Sequence, residues 1–495
     1  MMNRFGGFVL AGAAAIIAVR PLPAQAPNPI AWEAFPLRTF DGQSHDVELG
    51  RLRVPESRAR PKGSGVSVAF LRLKSSSPSP RAPIVFLMGG PGIPASVMAP
   101  IPPYWTLFDA LRADADVILL DQRGLGLSSP KLDCPPPGQP LDPAFLTSRA
   151  AFMKAYGTVI GSCATAFRAQ GVDPRAYTDA AIADDIEDIR SALGVPRVSV
   201  LGFSYGTRLA LTFARRHPDR VDRLVLQGSV DEETTYESAL DFDALITRVE
   251  AAAAADPVTA AFSRDLAART RALIVRTERT LIVVDIRTTD GRTLSVPIGR
   301  DGLGAIVSGR LSDPRMPALI ATLEAGDVSV LRLFVERLYS GLTGSTLMAP
   351  AVTCSQPPSR GRVARMDAES ASSVLGPSLD NLSVSPDVCS ALGGARAVAV
   401  PHLARPLDRP ALFITGTLDD HVALTNVSVL QREFADPIVL PVENGRHELL
   451  TDSAVRETVV AFFHGLDVRG RTLATTAARF LSIEDARQPI RRPGQ

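Results

Sequence analysis

The pentapeptide Gly202-Phe203-Ser204-Tyr205-Gly206 joins two stretches of unlike character. Val198, Val200 and Leu201 before it have the β-branched, apolar make-up of a strand, and 207–216 after it has the spacing of a helix. A serine with glycine at both ±2 positions, set between a strand and a helix, specifies a turn so tight that a Cβ at either glycine would collide. Such a turn needs a strand inside a sheet and a helix lying on that sheet, so the chain is read as an α/β protein. The surrounding sequence agrees. Short apolar runs recur at 84–88, 117–120, 224–226, 411–415 and 438–442, as expected of strands covered on both faces. Helical patterns fall between them at 104–112, 149–170, 180–193, 424–434 and 455–463. That alternation predicts a mostly parallel sheet with helices on both faces.

Between the two groups of strands the pattern changes. Residues 231–400 carry an Ala-rich helix at 239–255, a hairpin around Asp290-Gly291 and further helices at 303–310, 317–324 and 328–339. The layout expected is a core in two parts, 27–230 and 401–466, with a mainly helical insertion at 231–400. Alternating strands are expected at 47–54 and 66–73, after an N-terminal arm at 27–45. The tail, 467–495, is Arg-rich with an apolar patch at 477–483 and receives no assignment. At the other end, Arg4 precedes a charge-free apolar run over 5–19, shorter than the ~20 residues of a membrane span. Ala24-Gln25-Ala26 fits a small-x-small cleavage site, so 1–26 reads as a signal peptide. The expectation is an exported protein, periplasmic or extracellular, with no stable membrane insertion after cleavage.

The chain has 53 Lys and Arg against 52 Asp and Glu, with no basic excess of the kind a nucleic-acid partner requires. With 45% hydrophobic residues it is not a disordered chain. In an exported protein its four cysteines suggest disulfides, and proximity favours Cys134–Cys163 and Cys354–Cys389 among the three pairings. No CxxC or paired-His spacing supports zinc, and no cofactor motif is present.

At the strand-to-helix turn Ser204 is the candidate nucleophile, with Oγ exposed and a helix N-terminus aimed at developing negative charge. It needs a base, and the base needs an orienting acid. On such a sheet the acid and then the histidine follow the serine in chain order. Of six histidines, His447 lies in a short loop after the strand at 438–442, where a strand end presents it. Asp419 and Asp420 follow the strand at 411–415 in the same way; Asp419 is taken as the acid, Asp420 as second choice and His421 as a loop neighbour. The oxyanion donors expected are the backbone N–H of Tyr205 and of a glycine in Met88-Gly89-Gly90-Pro91-Gly92, directly after a buried strand.

These residues together resemble the secreted prolyl and tripeptidyl aminopeptidases of the α/β-hydrolase fold. Met88 to Gly92 is similar to their HGGPG-type motif, and Asp121-Gln122-Arg123-Gly124-Leu125-Gly126-Leu127-Ser128 to their D-x-R-G-x-G-x-S loop. Gly202 to Thr207 resembles the G-x-S-Y-G-T turn, and Gly416-Thr417-Leu418-Asp419 the acid loop. The resemblance implies a helical cap over the site and an exopeptidase that acts on a free N-terminus. It also implies Gly89 as the oxyanion glycine, with Gly90 the alternative. Two positions depart from the pattern. Met88 stands where the family has another residue, and Gln356 stands two places after Cys354, where that branch carries an acid suited to a substrate's α-ammonium. Gln356 is therefore a candidate recognition residue without a charge, and Glu232, Glu233 and Glu237 are acids elsewhere in the cap that could take the amine. The reading is a serine hydrolase cleaving small peptides or amides. The runner-up is an esterase or amidase on small neutral acyl substrates, and a third reading is a binding protein that keeps the fold without catalysis.

Overall fold

The structure, a computed structural model, describes residues 29–234, 238–288, 290–376, 386–394, 398 and 400–489. The leader read at 1–26 and Glu237 lie outside the described residues. The strands are β1 (Ala31–Arg38), β2 (Ser44–Pro55), β3 (Gly65–Leu73), β4 (Ile84–Leu87), β5 (Val117–Asp121), β6 (Val198–Phe203), β7 (Val221–Gln227), β8 (Ile282–Arg287), β9 (Thr293–Ile298), β10 (Ala411–Gly416), β11 (Pro437–Glu443) and β12 (Leu473–Ala474). Ten of them form one sheet in the order β1-β2-β3-β5-β4-β6-β7-β10-β11-β12. The pairings β1/β2, β2/β3 and β3/β5 are antiparallel, and every pairing from β5 onward is parallel. This is the α/β-hydrolase fold.

The strands β4, β5, β6 and β10 are buried along their whole length because both faces are covered. Alternate side chains serve two cores. Ile84, Phe86, Val117 and Leu119 pack with the helices Pro102–Leu111 and Ser453–Phe463. Val85, Leu87, Ile118 and Leu120 pack with Asp179–Ala192 and Tyr205–Arg216 on the other side. The period of two along each strand thus sorts one sheet into two hydrophobic layers.

The stretch 27–45, expected as an arm, contains β1, paired with β2 from Ala31↔Arg51 to Arg38↔Ser44. It escapes notice in the sequence because it is an edge strand. Most of its side chains are exposed, and it carries Glu33, Pro36 and Arg38, residue types that edge strands use to block further pairing.

Between β7 and β10 the chain leaves the sheet. The helix Ala239–Ala255 opens on a capping box from Ser238 and Asp241, and β8 and β9 form a hairpin. The insertion docks closely on the core. A Cβ on Gly302 would lie 2.1 Å from the Leu146 carbonyl oxygen. The N–H groups of Cys134 and Leu347 donate to Ser345 and Leu132, each at 2.9 Å. The helix Leu266–Thr277, not anticipated, buries Leu266, Leu273 and Ile274 between its many arginines.

The tail also has a place. β12 pairs with β11 at the sheet edge, and the chain then crosses to the insertion. There Phe480 is buried, with its N–H on the Asp256 carboxylate at 2.9 Å, and Leu481 N–H donates to Pro314 O at 2.9 Å. No helix among the described residues is long and apolar enough to cross a membrane.

Both disulfides join the expected pairs, Cys134–Cys163 and Cys354–Cys389, with Cα separations of 5.3 and 5.6 Å. The first ties the loop after β5 to the helix Arg149–Ala169, and the second lies within the insertion. Peptide mapping of the non-reduced protein should recover these two links and no free thiol. Each closes a loop whose constraint contributes about 2–4 kcal/mol, so reduction should lower the melting temperature measurably.

Candidate active site

Ser204 directly follows β6 at φ 54°, ψ −126°, a conformation costly for a residue with a Cβ. Its neighbours explain how the chain holds it there. A Cβ on Gly206 would lie 1.9 Å from the Leu87 carbonyl oxygen of β4, and one on Gly202 would lie 2.7 Å from the Gly206 carbonyl oxygen. Helix and strand therefore approach to distances only glycine allows. Ser204 N–H donates to Gln227 O at 2.8 Å, fixing the turn to the end of β7.

Gly89 lies against the serine. A Cβ there would meet Ser204 Cβ at 2.7 Å and Oγ at 3.2 Å. Gly90 has φ 116° and turns the chain away toward Gly92. Met88, the departure from the family motif, is buried, and its carbonyl accepts from Gln122 Nε2 at 3.0 Å. Tyr205 starts the helix, and its phenol donates to Asp179 at 2.5 Å. Asp121 anchors the loop beside the Gly89 turn, accepting from Ser96 and Leu127 N–H, each at 2.8 Å. Burial raises its pKa against those hydrogen bonds. Arg123 is fully buried in a bidentate pair with Asp185 at 2.7 and 2.6 Å, a structural use.

On the other side His447 Nδ1 lies 3.0 and 2.9 Å from the two Asp419 oxygens. Asp419 is buried, and its Oδ1 also accepts from the N–H of His421 at 2.8 Å and of Val422 at 3.0 Å. With a carboxylate at Nδ1, the proton sits there and Nε2 carries the lone pair. Asp420 is turned elsewhere, to His421 Nδ1 at 2.8 Å and to Ser312 N–H of the insertion at 3.1 Å. Asp419, the acid expected from the sequence, and Asp420, the second choice, thus face different imidazoles. Burial pulls the His447 pKa down. The charge and hydrogen bond of Asp419, aided by Asp420 and Glu448, outweigh that and leave it raised.

Gln227 has no motif around it, and sequence reasoning missed it. Its backbone oxygen holds Ser204, and its Nε2 donates to the His447 carbonyl oxygen at 3.0 Å, so one buried residue spans both loops. The Phe203 ring packs against His447 at 5.0 Å between centroids. The ligand atoms of Asp419, Asp420 and His421 lie within 4.8 Å of one another, the spacing of a metal cluster. Their atoms are already taken by imidazoles and backbone N–H groups, so the set is built as acid–histidine pairs.

Gln356 caps the helix Met348–Ser355 and is buried; its carbonyl accepts from Arg208 Nη2 at 3.1 Å, and its Oε1 has no hydrogen-bond partner among the described residues. Arg208 sits one turn along the helix from Ser204 and pairs with Asp179 at 2.7 Å. Glu232 is bound to Arg215 at 2.8 Å, and Glu233 accepts from the Ser359 N–H and hydroxyl at 2.7 and 3.0 Å.

Two outcomes follow from this geometry. Gly206→Ala should destabilise by at least the ~1–3 kcal/mol typical of overpacking, read by urea unfolding, because the obstacle is backbone. NMR titration should place the His447 pKa above the ordinary imidazole value, and Asp419→Asn should bring it down.

Comparison with known proteins agrees with the fold. Residues 82–298 match the alpha/beta hydrolase fold family. A stretch of 190 residues is 28% identical to the serine protease Hip1 of Mycobacterium tuberculosis, covering 37% of this chain and 36% of that protein. Another of 215 residues is 26% identical to the tripeptidyl aminopeptidase of Streptomyces coelicolor, covering 40% and 38%. The chain therefore spans little more than a third of these relatives. The solved proline iminopeptidase of Mycobacterium smegmatis aligns at TM-score 0.38 and 16% identity over 84% of this chain and 98% of that one. The chain carries an α/β-hydrolase domain with serine at its strand-to-helix turn, and it is similar at low identity to serine proteases and aminopeptidases.

Proposed function

We propose that this chain is an exported serine hydrolase that cleaves peptide or amide bonds through an acyl-enzyme, with free-amine peptides as its substrates. The observation that carries the reading is the placement of Ser204, Gly89 and the Asp419–His447 pair at the C-terminal ends of β6, β4, β10 and β11, with Gln227 bonded to both Ser204 and His447. In this reading Ser204 Oγ attacks the scissile carbonyl and His447 Nε2 takes its proton. Asp419 holds the imidazole in the required tautomer and stabilises the imidazolium. The N–H groups of Gly89 and Tyr205 receive the developing oxyanion. His447 then returns the proton to the leaving amine, and water releases the acyl group by the same steps in reverse. The relatives named as serine protease and aminopeptidase favour a peptide substrate. The two disulfides suit an oxidising compartment.

Gln356 favours a second reading, an esterase or amidase for neutral acyl groups. Its buried amide supplies no charge for an α-ammonium, and Glu232 and Glu233 are already engaged by Arg215 and Ser359.

A panel of aminoacyl-, prolyl- and tripeptidyl-arylamides, their N-acetyl counterparts and short acyl esters separates the two. A peptidase should prefer free amines; comparable turnover of acetylated amides and esters would favour the second reading. Ser204→Ala should lower turnover on the order of 10³-fold or more on every productive substrate, and near-normal turnover would exclude both. Gln356→Glu should raise the preference for the free amine by about 1–3 kcal/mol, provided the new carboxylate reaches it.

A further inference from the structure

His421 is the one histidine stacked on His447 among the described residues: the ring centroids are 4.7 Å apart and the planes 21° from parallel. It is held on both nitrogens. Nδ1 faces Asp420 Oδ1 at 2.8 Å, and Nε2 faces Arg310 Nη1 at 3.4 Å. A carboxylate only accepts and a guanidinium only donates, partners that suit the tautomer with its proton on Nδ1 and its lone pair on Nε2. Its backbone N–H also donates to Asp419 at 2.8 Å, which fixes the loop to the acid that His447 uses. Asp420 in turn accepts from Ser312 N–H, so the insertion holds this pair from the far side.

We propose that His421 is a positioning residue acting through His447, an aromatic face against which the His447 ring gains its positive charge. This rests on the reading of Ser204 as nucleophile and His447 as base. A cation over an aromatic face within about 6 Å is favoured by the ring quadrupole. In its base form His447 is neutral, and it becomes a cation when it takes the seryl proton, so the stack strengthens as the reaction proceeds, the condition for lowering a barrier. The charged and titratable groups that face His421 are Asp419 and Asp420 on its own loop, His447 on the loop after β11 and Arg310 from the insertion; Arg446 and Asp313 act on one another and Arg446 on Asp420, and Glu448 acts on His447.

The test uses the full chain and a fluorophosphonate probe, with the rate of Ser204 modification followed by mass spectrometry across the imidazole titration range. In that reaction the Ser204 Oγ–phosphorus bond forms, the phosphorus–fluorine bond breaks, fluoride leaves and the seryl proton passes to His447. Two variants fill the same space with and without a π face. His421→Leu should slow the plateau rate about five- to tenfold and move the acid limb to lower pH, because His447 loses a partner that favours its charged form. His421→Phe should return the plateau to within about twofold of the unaltered protein. Equal rates for all three proteins with one shared acid limb would overturn the inference, and so would a phenylalanine variant as slow as the leucine variant. A Ser204 that stays unmodified in the unaltered protein would overturn the nucleophile reading itself, and this inference with it.

Discussion

The contact between Gly206 and the Leu87 carbonyl sets the geometry of the site. With a Cβ position only 1.9 Å from that oxygen, the helix after Ser204 lies directly on β4. Two results follow from one close approach. The turn between β6 and the helix must be sharp, which forces Ser204 to positive φ and turns its side chain out of the sheet. The chain leaving β4, two residues beyond Leu87, must also pass beside that turn. This brings Gly89 against Ser204, where its own lack of a Cβ is required in turn. A bulky residue at 206 would therefore separate the serine from the backbone that lies over it.

The opposite wall depends on hydrogen bonds rather than on close packing. Gln227 joins the serine turn to the His447 loop. The loop after β10 carries two aspartates that face different imidazoles, and the backbone N–H groups of His421 and Val422 hold Asp419 toward His447. The same loop receives Ser312 and Arg310 from the insertion. Arg446, the residue before His447, donates to the Arg479 carbonyl at 2.9 Å and lies 5.4 Å from the Phe480 ring. The tail that crosses from β12 to the insertion thus borders the histidine loop. Insertion, tail and sheet meet at one place, and that place is beside His447.

What the sequence revealed and what it hid divide along physical lines. The serine turn was legible because its glycines answer a local steric demand, and the parallel strands because burial on both faces leaves an unbroken apolar run. The chain order of serine, acid and histidine narrowed six histidines to one position. Asp419 is read ahead of Asp420 from the sequence although both follow the same strand; what distinguishes them in the structure is backbone donors and Ser312, more than a hundred positions away in the chain. Gln227 and the His421 stack were invisible for the same reason, because each acquires its partner only when distant loops meet. β1 was hidden by the exposed, proline-bearing make-up of an edge strand. The tail was hidden because its apolar patch is short and packs on the insertion instead of on its neighbours in sequence.

The central claim is that Ser204, assisted by His447, forms a covalent acyl intermediate. Rapid quenching of the protein with an activated aryl ester, followed by peptide mass spectrometry, tests it directly. The account predicts an acyl group on the peptide that contains Ser204, formed in a burst with the first equivalent of aryl alcohol and absent in Ser204→Ala. Hydrolysis that proceeds with no acyl group on that peptide, or with the acyl group on another residue, would contradict it.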